Sequence, residues 1–318
     1  MNTPAQSAVV DHRFDFVLLF DVVDGNPNGD PDAANMPRLD PQSLQGLVTD
    51  GCLKRKLRNA AAVLGEGVAG MEIYFQTQDA TFEKRVLNLQ HQRAHEAMNQ
   101  GTGEKKKDDK TKDPKVEFDK TNRAREWMCQ NFFDIRAFGA VMTTGINCGQ
   151  VRGPVQITFA RSVDPIVPLE FSITRKSVTT TDDAMKQVQK DGSITGTMGR
   201  KNTVPYGLYV CHGFVNPYLA RDTKFTHADL EILWNALRGL MWEIDRSASR
   251  GLMSTRGLYV FEHASMLGNA PAHELFDRIE IRPLGADAAP RKFEDYRSQI
   301  QINDQNLPQG VTLHRLVG

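Results

Sequence analysis

The segment Phe14-Asp15-Phe16-Val17-Leu18-Leu19-Phe20-Asp21-Val22 constrains the fold more than any other, because only Asp15 and Asp21 interrupt its apolar run. A strand wet on one face alternates apolar with polar residues, whereas a near-continuous apolar run belongs to a strand covered on both faces. A sheet with this strand at its centre is therefore expected. The run stops at Asp24-Gly25-Asn26-Pro27-Asn28-Gly29-Asp30-Pro31. There Gly, Asn and Asp favour turns and Pro cannot extend a ladder, so loop is expected to about residue 41.

Periodicity places a helix at 47–64, with Thr49 or Asp50 as N-cap and Gly65 and Gly67 near its end. Leu53, Leu57, Ala60 and Leu64 share one face, while Lys54, Arg55 and Arg58 occupy the adjacent arc. A polar helix is expected at 81–100. The charged stretch from Gly101 to Lys115 has too little apolar surface to offset its ordering entropy and reads as a mobile insertion. Beyond it come a helix at 121–132 and strands at 133–141 and 155–161, the strands separated by the glycine-rich 145–153 turn. A second excursion, 173–204, is broken by Gly192, Gly196 and Gly199. A strand at 206–215 then precedes a helix at 228–244. That helix is capped by Thr226 and carries Leu230, Leu233, Trp234, Leu237, Leu240 and Met241 at three- and four-residue spacing. A strand at 257–262 is the last element with a clear signature. With the insertions set aside the order is β-α-β-β-α-β, an α+β chain on the ferredoxin-like plan that also underlies the RNA recognition motif (RRM). That plan hosts many activities, so it does not give function.

Composition excludes several classes. With 318 residues and 40% hydrophobic content the chain can bury a substantial core. The 39 basic and 39 acidic residues cancel, so a polyanion must be held by a local cluster of cations and not by the overall field. No apolar stretch approaches the ~18 residues of a membrane span, and residues 1–11 lack a secretory pattern. A cytoplasmic location without membrane contact is expected. Cys52, Cys129, Cys148 and Cys211 form no C-x-x-C pair and read as buried thiols.

Two metal-like patterns fail on inspection. Asp24-x-Asn26-x-Asn28-Gly29-Asp30-x-Asp32 matches the first half of a calcium-binding EF-hand loop, but Asn35 stands where the bidentate Glu belongs, and Pro27 and Pro31 interrupt it. A turn with self-satisfied Asn and Asp side chains is the better account, one whose outer surface would suit RNA backbone or a neighbouring subunit. His91 and His95 have metal-compatible spacing but no third ligand, so a solvated helix face is expected. No G-x-S-x-G, Walker lysine loop or paired nucleophile and base appears, and neither catalytic residues nor a cofactor are expected.

The cations are more informative. Lys54, Arg55, Lys56 and Arg58 crowd one helix; Arg136 sits beside Phe138 on an expected strand; Arg152 follows the Gly149 turn; and Arg175, Lys176, Arg200 and Lys201 flank the second excursion. Cations next to glycine-rich turns suit phosphate, because the backbone can approach the ligand there. Met198, between Thr197 and Gly199, could wedge between bases while Arg200 and Lys201 hold the flanking phosphates.

Phe16 to Val22, then Gly25-Asn26-Pro27-Asn28-Gly29-Asp30-Pro31-Asp32, Asn35-Met36-Pro37-Arg38 and Leu47-Val48-Thr49-Asp50 leading into Cys52-Leu53-Lys54-Arg55-Lys56, closely resemble the Cas-seven (Csd-two) family of type I-C CRISPR systems. Asp134-Ile135-Arg136-Ala137-Phe138-Gly139, Gly153-Pro154-Val155-Gln156 and Tyr206-Gly207-Leu208-Tyr209 look like the same family, so the motifs span most of the chain. The resemblance implies one RRM-like palm domain over 1–318, a fingers-like insertion at 66–132 carrying the mobile loop 101–115, and a thumb-like insertion at 173–204. It also implies a non-catalytic subunit of the Cascade surveillance complex. Copies would stack head to tail along the guide RNA (crRNA), each thumb displacing a base and leaving the others to pair with a target DNA strand. Partners would be Cas-five, Cas-eight and small subunits. Asn26, Asn28, Lys54, Arg55, Arg58, Arg136, Arg152, Arg175, Lys176, Met198, Arg200 and Lys201 would contact RNA. The alternative is a guide-processing ferredoxin-like endoribonuclease, for which His91, His95 and His212 are the candidates.

Overall fold

A computed structural model describes residues 8–76, 80–102, 114–285 and 288–318. The strand Phe14–Gly25 runs through the middle of an antiparallel sheet, paired on one side with the long strand Thr197–Val215 and on the other with Leu252–His263. The order from edge to edge is Val311–Val317, Leu252–His263, Phe14–Gly25, Thr197–Val215, Ala160–Pro165, Gln45–Val48. Val155–Ile157 and Leu169–Arg175 pair with the two ends of the long strand.

The central strand is covered on both faces, as its composition requires. Phe16, Leu18, Phe20 and Val22 pack with Leu53, Leu57, Trp234 and Trp242 of the helical layer. Val17 and Leu19 pack with Tyr259, Phe261, Leu275 and Ile279 beneath the C-terminal segment. Each such side chain contributes about 1.5–3 kcal/mol on burial. Gly213 leaves room for the Phe16 ring, since a Cβ at that position would fall 2.0 Å from it.

The helices begin where the caps predict. Thr49 Oγ1 accepts from the Cys52 N–H at 3.2 Å, opening the helix Asp50–Leu64. The residues just before it form the edge strand Gln45–Val48 and not the first helical turn expected from 47. Thr226 and Asp229 form a reciprocal capping box at the start of His227–Asn235. The expected single helix to 244 instead passes through one π-helical turn, Ala236–Leu240, where Gly239 has a φ of 151°.

Residues 133–141 depart from expectation. Phe133–Phe138 is a short helix with all six residues buried, and only Gly139–Val141 is strand, paired with Gln150–Arg152. A segment that is buried all round gives no periodicity to separate helix from strand. The helix Pro114–Asn131 already runs ahead of the expected position 121. It packs with Leu87–Thr102 around a second core of Tyr74, Ala94, Met128, Phe132, Ile135, Met142 and Val151. This lobe uses residues on both sides of position 132. Most of the charged stretch 101–115 lies outside the described residues. The C-terminal strands Ile279–Ile281, Ile300–Ile302 and Val311–Val317 had no clear sequence signature.

Candidate nucleic-acid interface

The turn after the central strand is tied down by its own side chains. Asn26 Nδ2 donates to the Asn35 carbonyl at 2.7 Å, and Asn28 Oδ1 accepts from the Thr49 N–H and Oγ1 at 2.9 and 3.0 Å. Asp30 accepts from the Asp32 N–H at 3.2 Å and pairs with Arg38 at 3.3 Å. The Asn28 bonds fix the turn against the first helix at its cap. Asn26 Oδ1 is buried with no hydrogen-bond partner among the described residues.

A loop that sequence reasoning missed completes this end of the sheet. The Asn26 N–H donates to the Ser249 carbonyl at 2.8 Å, and Gly25 approaches the Arg250 backbone so closely that a Cβ would lie 1.9 Å from its oxygen. Gly251 turns the loop with a φ of 63° against the Val23 and Asp24 backbone. Asp245 anchors the loop by accepting from buried Lys56 and from Arg250 Nε, the latter at 2.8 Å. Arg246 and Ser247 line the surface depression beside Asp24 and Leu252. The signal available was Asp245-Arg246-Ser247-Ala248-Ser249-Arg250-Gly251, a Ser- and Arg-rich link between a helix and a strand.

The first helix divides its cations between structure and surface. Arg55 is exposed, and Lys54 bonds Asp50 at 3.0 Å on the same helix. Lys56 is buried over the Trp242 ring at 5.8 Å. Arg58 donates to Asp134 at 2.9 Å and lies between the Phe75 and Phe138 rings, 5.1 and 5.2 Å from their centroids. Asp134 also accepts from the Tyr74 and Phe75 N–H groups. Arg136 is on a helix and not a strand; it is 7% exposed and grips Asp229 through Nε at 3.0 Å and Nη2 at 2.6 Å. Its Nη1 donates to the Gly70 and Cys129 carbonyls. Arg58 and Arg136 therefore join lobe and sheet, and Arg136 does not face a ligand surface.

The second excursion is an exposed two-stranded ribbon. Leu169–Arg175 pairs with residues 197–203 of the long strand, and every residue of Leu169–Arg175 is exposed. A helix, Thr181–Asp191, joins the two strands and buries none of its residues. Gln187 holds the return of the chain, accepting from the Thr195 and Gly196 N–H groups at 3.0 Å. Directly paired residues share a face, so the register sorts the candidates. Leu169, Phe171, Ile173 and Arg175 lie with Thr203, Lys201, Gly199 and Thr197 on one face, and Glu170, Ser172 and Thr174 with Asn202, Arg200 and Met198 on the other. Met198 is 75% exposed, and Arg200 reaches Glu170 at 3.2 Å on the Met198 face. Lys201 is on the opposite face, so Met198, Arg200 and Lys201 do not form one group. Counting by twos from Tyr209, which stacks on Phe20 at 5.3 Å within the helical-side core, puts Lys201 and Phe171 on the helical side. The ribbon springs from the sheet where Gly25 pairs with Val204, next to the Asn26 turn. Arg175 bonds the Ser177 carbonyl and Thr179 Oγ1, and Lys176 is exposed. Arg152 is exposed near the other end of the central strand, by Arg13 and Val215.

The histidines are dispersed. His91 is not on a solvated face: it is buried in the second core, 2.7 Å from the Tyr74 hydroxyl. Burial lowers its pKa and pushes the Tyr74 hydroxyl up to about 12. His95 Nε2 contacts the Asn147 carbonyl at 3.0 Å. His212 lies against Phe276, 4.4 Å between ring centroids, and its pKa too is lowered by burial. Cys129, Cys148 and Cys211 are buried, and burial pushes the first two thiols up to about 11. Among the described residues no group of three or more His, Cys, Asp or Glu is placed to hold a metal ion, and no helix is long and apolar enough to cross a membrane.

The family model for CRISPR-associated protein Cas7 matches residues 12–303. The CRISPR-associated protein Cas7 of Haloferax volcanii is 25% identical over 250 residues, covering 71% of this chain but only 64% of that relative. A chain of a solved "CRISPR RNA-guided surveillance complex, pre-nicking" superposes with a TM-score of 0.48 at 14% identity, covering 78% of each chain. A chain of a solved "CRISPR RNA-guided surveillance complex" gives 0.46 at 13% identity, covering 87% of this chain and 77% of that one. The match over residues 12–303 places this chain in the CRISPR-associated protein Cas7 family.

Proposed function

We propose that this chain is a non-catalytic backbone subunit of a type I-C Cascade complex, polymerising head to tail along crRNA and presenting its bases to a target DNA strand. The observation that carries this reading is the bare ribbon. Leu169, Phe171 and Ile173 are each about half exposed on one face of the ribbon, beside the cations Arg175 and Lys201. Such a surface suits a partner that is both stacked and charged, which a polynucleotide strand is. The groove would run between the helical-side face of the ribbon, the Asn26–Asp30 turn, the Ser- and Arg-rich loop and the exposed part of the first helix. Lys54, Arg55, Arg175, Lys176 and Lys201 would hold phosphates, with Asn26 and Asn28 shaping the turn.

The strand order, with the fourth of the β-α-β-β-α-β strands beside the first, then the third and the second, supports reading the sheet as an RRM-like palm. The helical lobe would be the fingers, and the ribbon with its helix the thumb. Cas-five, Cas-eight and small subunits would complete a cytoplasmic assembly. Sequence would be read by base pairing while the protein supplies shape and backbone contacts.

Filter binding of crRNA over a salt series tests the proposal. Affinity should fall steeply and linearly in log-log form, with little dependence on RNA sequence. Salt-independent binding, or no binding with partner subunits present, contradicts it.

A further inference from the structure

We infer that the end of the sheet remote from the ribbon is a second contact surface, built for a single polynucleotide strand other than the guide segment in the groove. A cleft of about 400 Å³ opens where the central strand begins, and Arg13, Arg152, Gln156, Phe214, Tyr218 and Leu267 line it. The central strand has 12 residues, which separates this cleft from the Asn26 turn by about 36 Å at ~3.3 Å per residue. One short segment of guide cannot occupy both.

The chemistry of the lining is specific. Tyr218 is 52% and Leu267 77% exposed, while Phe214 is half-buried and braced edge-on by Phe276 at 5.6 Å between centroids. Tyr218 offers an open ring face and Phe214 a partly open one, and Leu267 adds apolar surface beside them. Arg152 is exposed and has no side-chain partner among the described residues. The one acid in the lining, Asp15, is fully buried, and its carboxylate is taken by Arg13 at 2.7 and 3.1 Å and by His263 at 3.1 Å. The free charge at the cleft is therefore the Arg152 cation. Gln156 Nε2 donates to the Gly153 carbonyl, which holds the amide at the cleft wall.

A guanidinium without a counter-ion among the described residues, beside the exposed Tyr218 ring and the half-buried Phe214 ring, complements a phosphate followed by an unpaired base. A duplex hides its base faces and offers nothing to Tyr218 or Phe214. A purely apolar peptide would leave Arg152 unmatched. The shared chemistry is that of single-stranded RNA or DNA.

Ultraviolet cross-linking of the full chain to oligouridine and, separately, to oligodeoxythymidine, followed by mass mapping of the adducts, tests this site. Adducts are expected on Phe214 or Tyr218. Arg152→Glu should lower their yield about fivefold or more, Arg152→Lys should retain it, and the melting midpoint should not move, because the side chain is solvent-facing. Adducts with one oligonucleotide only identify that nucleic acid as the ligand. No adduct at Phe214 or Tyr218 with either strand, or a yield unaffected by both Arg152→Glu and Tyr218→Ala, overturns the inference. So does capture of a protein segment in this cleft from the assembled complex. Groove adducts on the ribbon are read in the same maps, so failure here is distinguishable from failure of the guide-binding proposal.

Discussion

Arg136 and Asp229 face each other inside the protein in a two-bond ion pair, with Nε to Oδ2 at 3.0 Å and Nη2 to Oδ1 at 2.6 Å. The same Asp229 carboxylate accepts from the Thr226 N–H at 2.8 Å and so caps the helix that packs on the central strand. One carboxylate thus joins the lobe, the sheet-side helix and its cap. Removing one partner of a buried pair leaves an uncompensated charge at a cost of about 3–5 kcal/mol. Arg136→Ala should therefore lower unfolding free energy by that order in denaturant titration. A variant with native stability but lost RNA binding would return Arg136 to the groove.

Arg55 should behave oppositely. It is exposed, so Arg55→Glu should leave the melting midpoint within about a degree of the parent while weakening RNA binding. For every phosphate that the protein no longer neutralises, the log-log salt slope should become shallower by about 0.7 on a single strand. An unchanged slope would remove Arg55 from the interface.

The ribbon faces can be separated by mutation. Lys201 and Phe171 share the helical-side face, and Met198 lies on the other. Lys201→Ala and Phe171→Ala should each weaken crRNA binding, by about 1–3 kcal/mol for the aromatic. Met198→Ala should leave binding to the same copy nearly unchanged. The reverse pattern would place RNA on the Met198 face.

Gly213 is a packing test independent of function. Its missing Cβ is the space filled by the Phe16 ring. Gly213→Ala should cost about 1–3 kcal/mol by overpacking, read as a lowered denaturation midpoint. An unchanged midpoint would mean that the ring moves aside freely.

Burial lowers the pKa of His91 and of His212 below the ordinary 6.5. The unfolded chain then takes up protons first on acidification, so stability present above pH ~6.5 declines as the pH falls below it. Unfolding midpoints measured from pH 7.5 to 5 should drop, and His91→Gln should flatten part of that slope. An identical slope in the variant would mean that His91 titrates normally.

The central strand was legible because burial on both faces leaves a continuous apolar run, and the Thr49 and Thr226 caps because their chemistry is local. The partners of cations are not local. Arg136 and Asp229 are 93 residues apart and Arg58 and Asp134 are 76 apart, so in sequence both arginines look like free groove cations. The face of Lys201 depends on register with Leu169–Arg175, which composition does not encode. His91 looked solvated because its helix is polar overall, while its burial comes from Tyr74 and the neighbouring helix.

Electron microscopy of the chain co-expressed with crRNA and its neighbouring subunits tests the central proposal most directly. Repeating copies along one RNA, each with its ribbon against the strand, is the predicted result. Monomers free of RNA, or specific cleavage of the RNA by this chain, would contradict it.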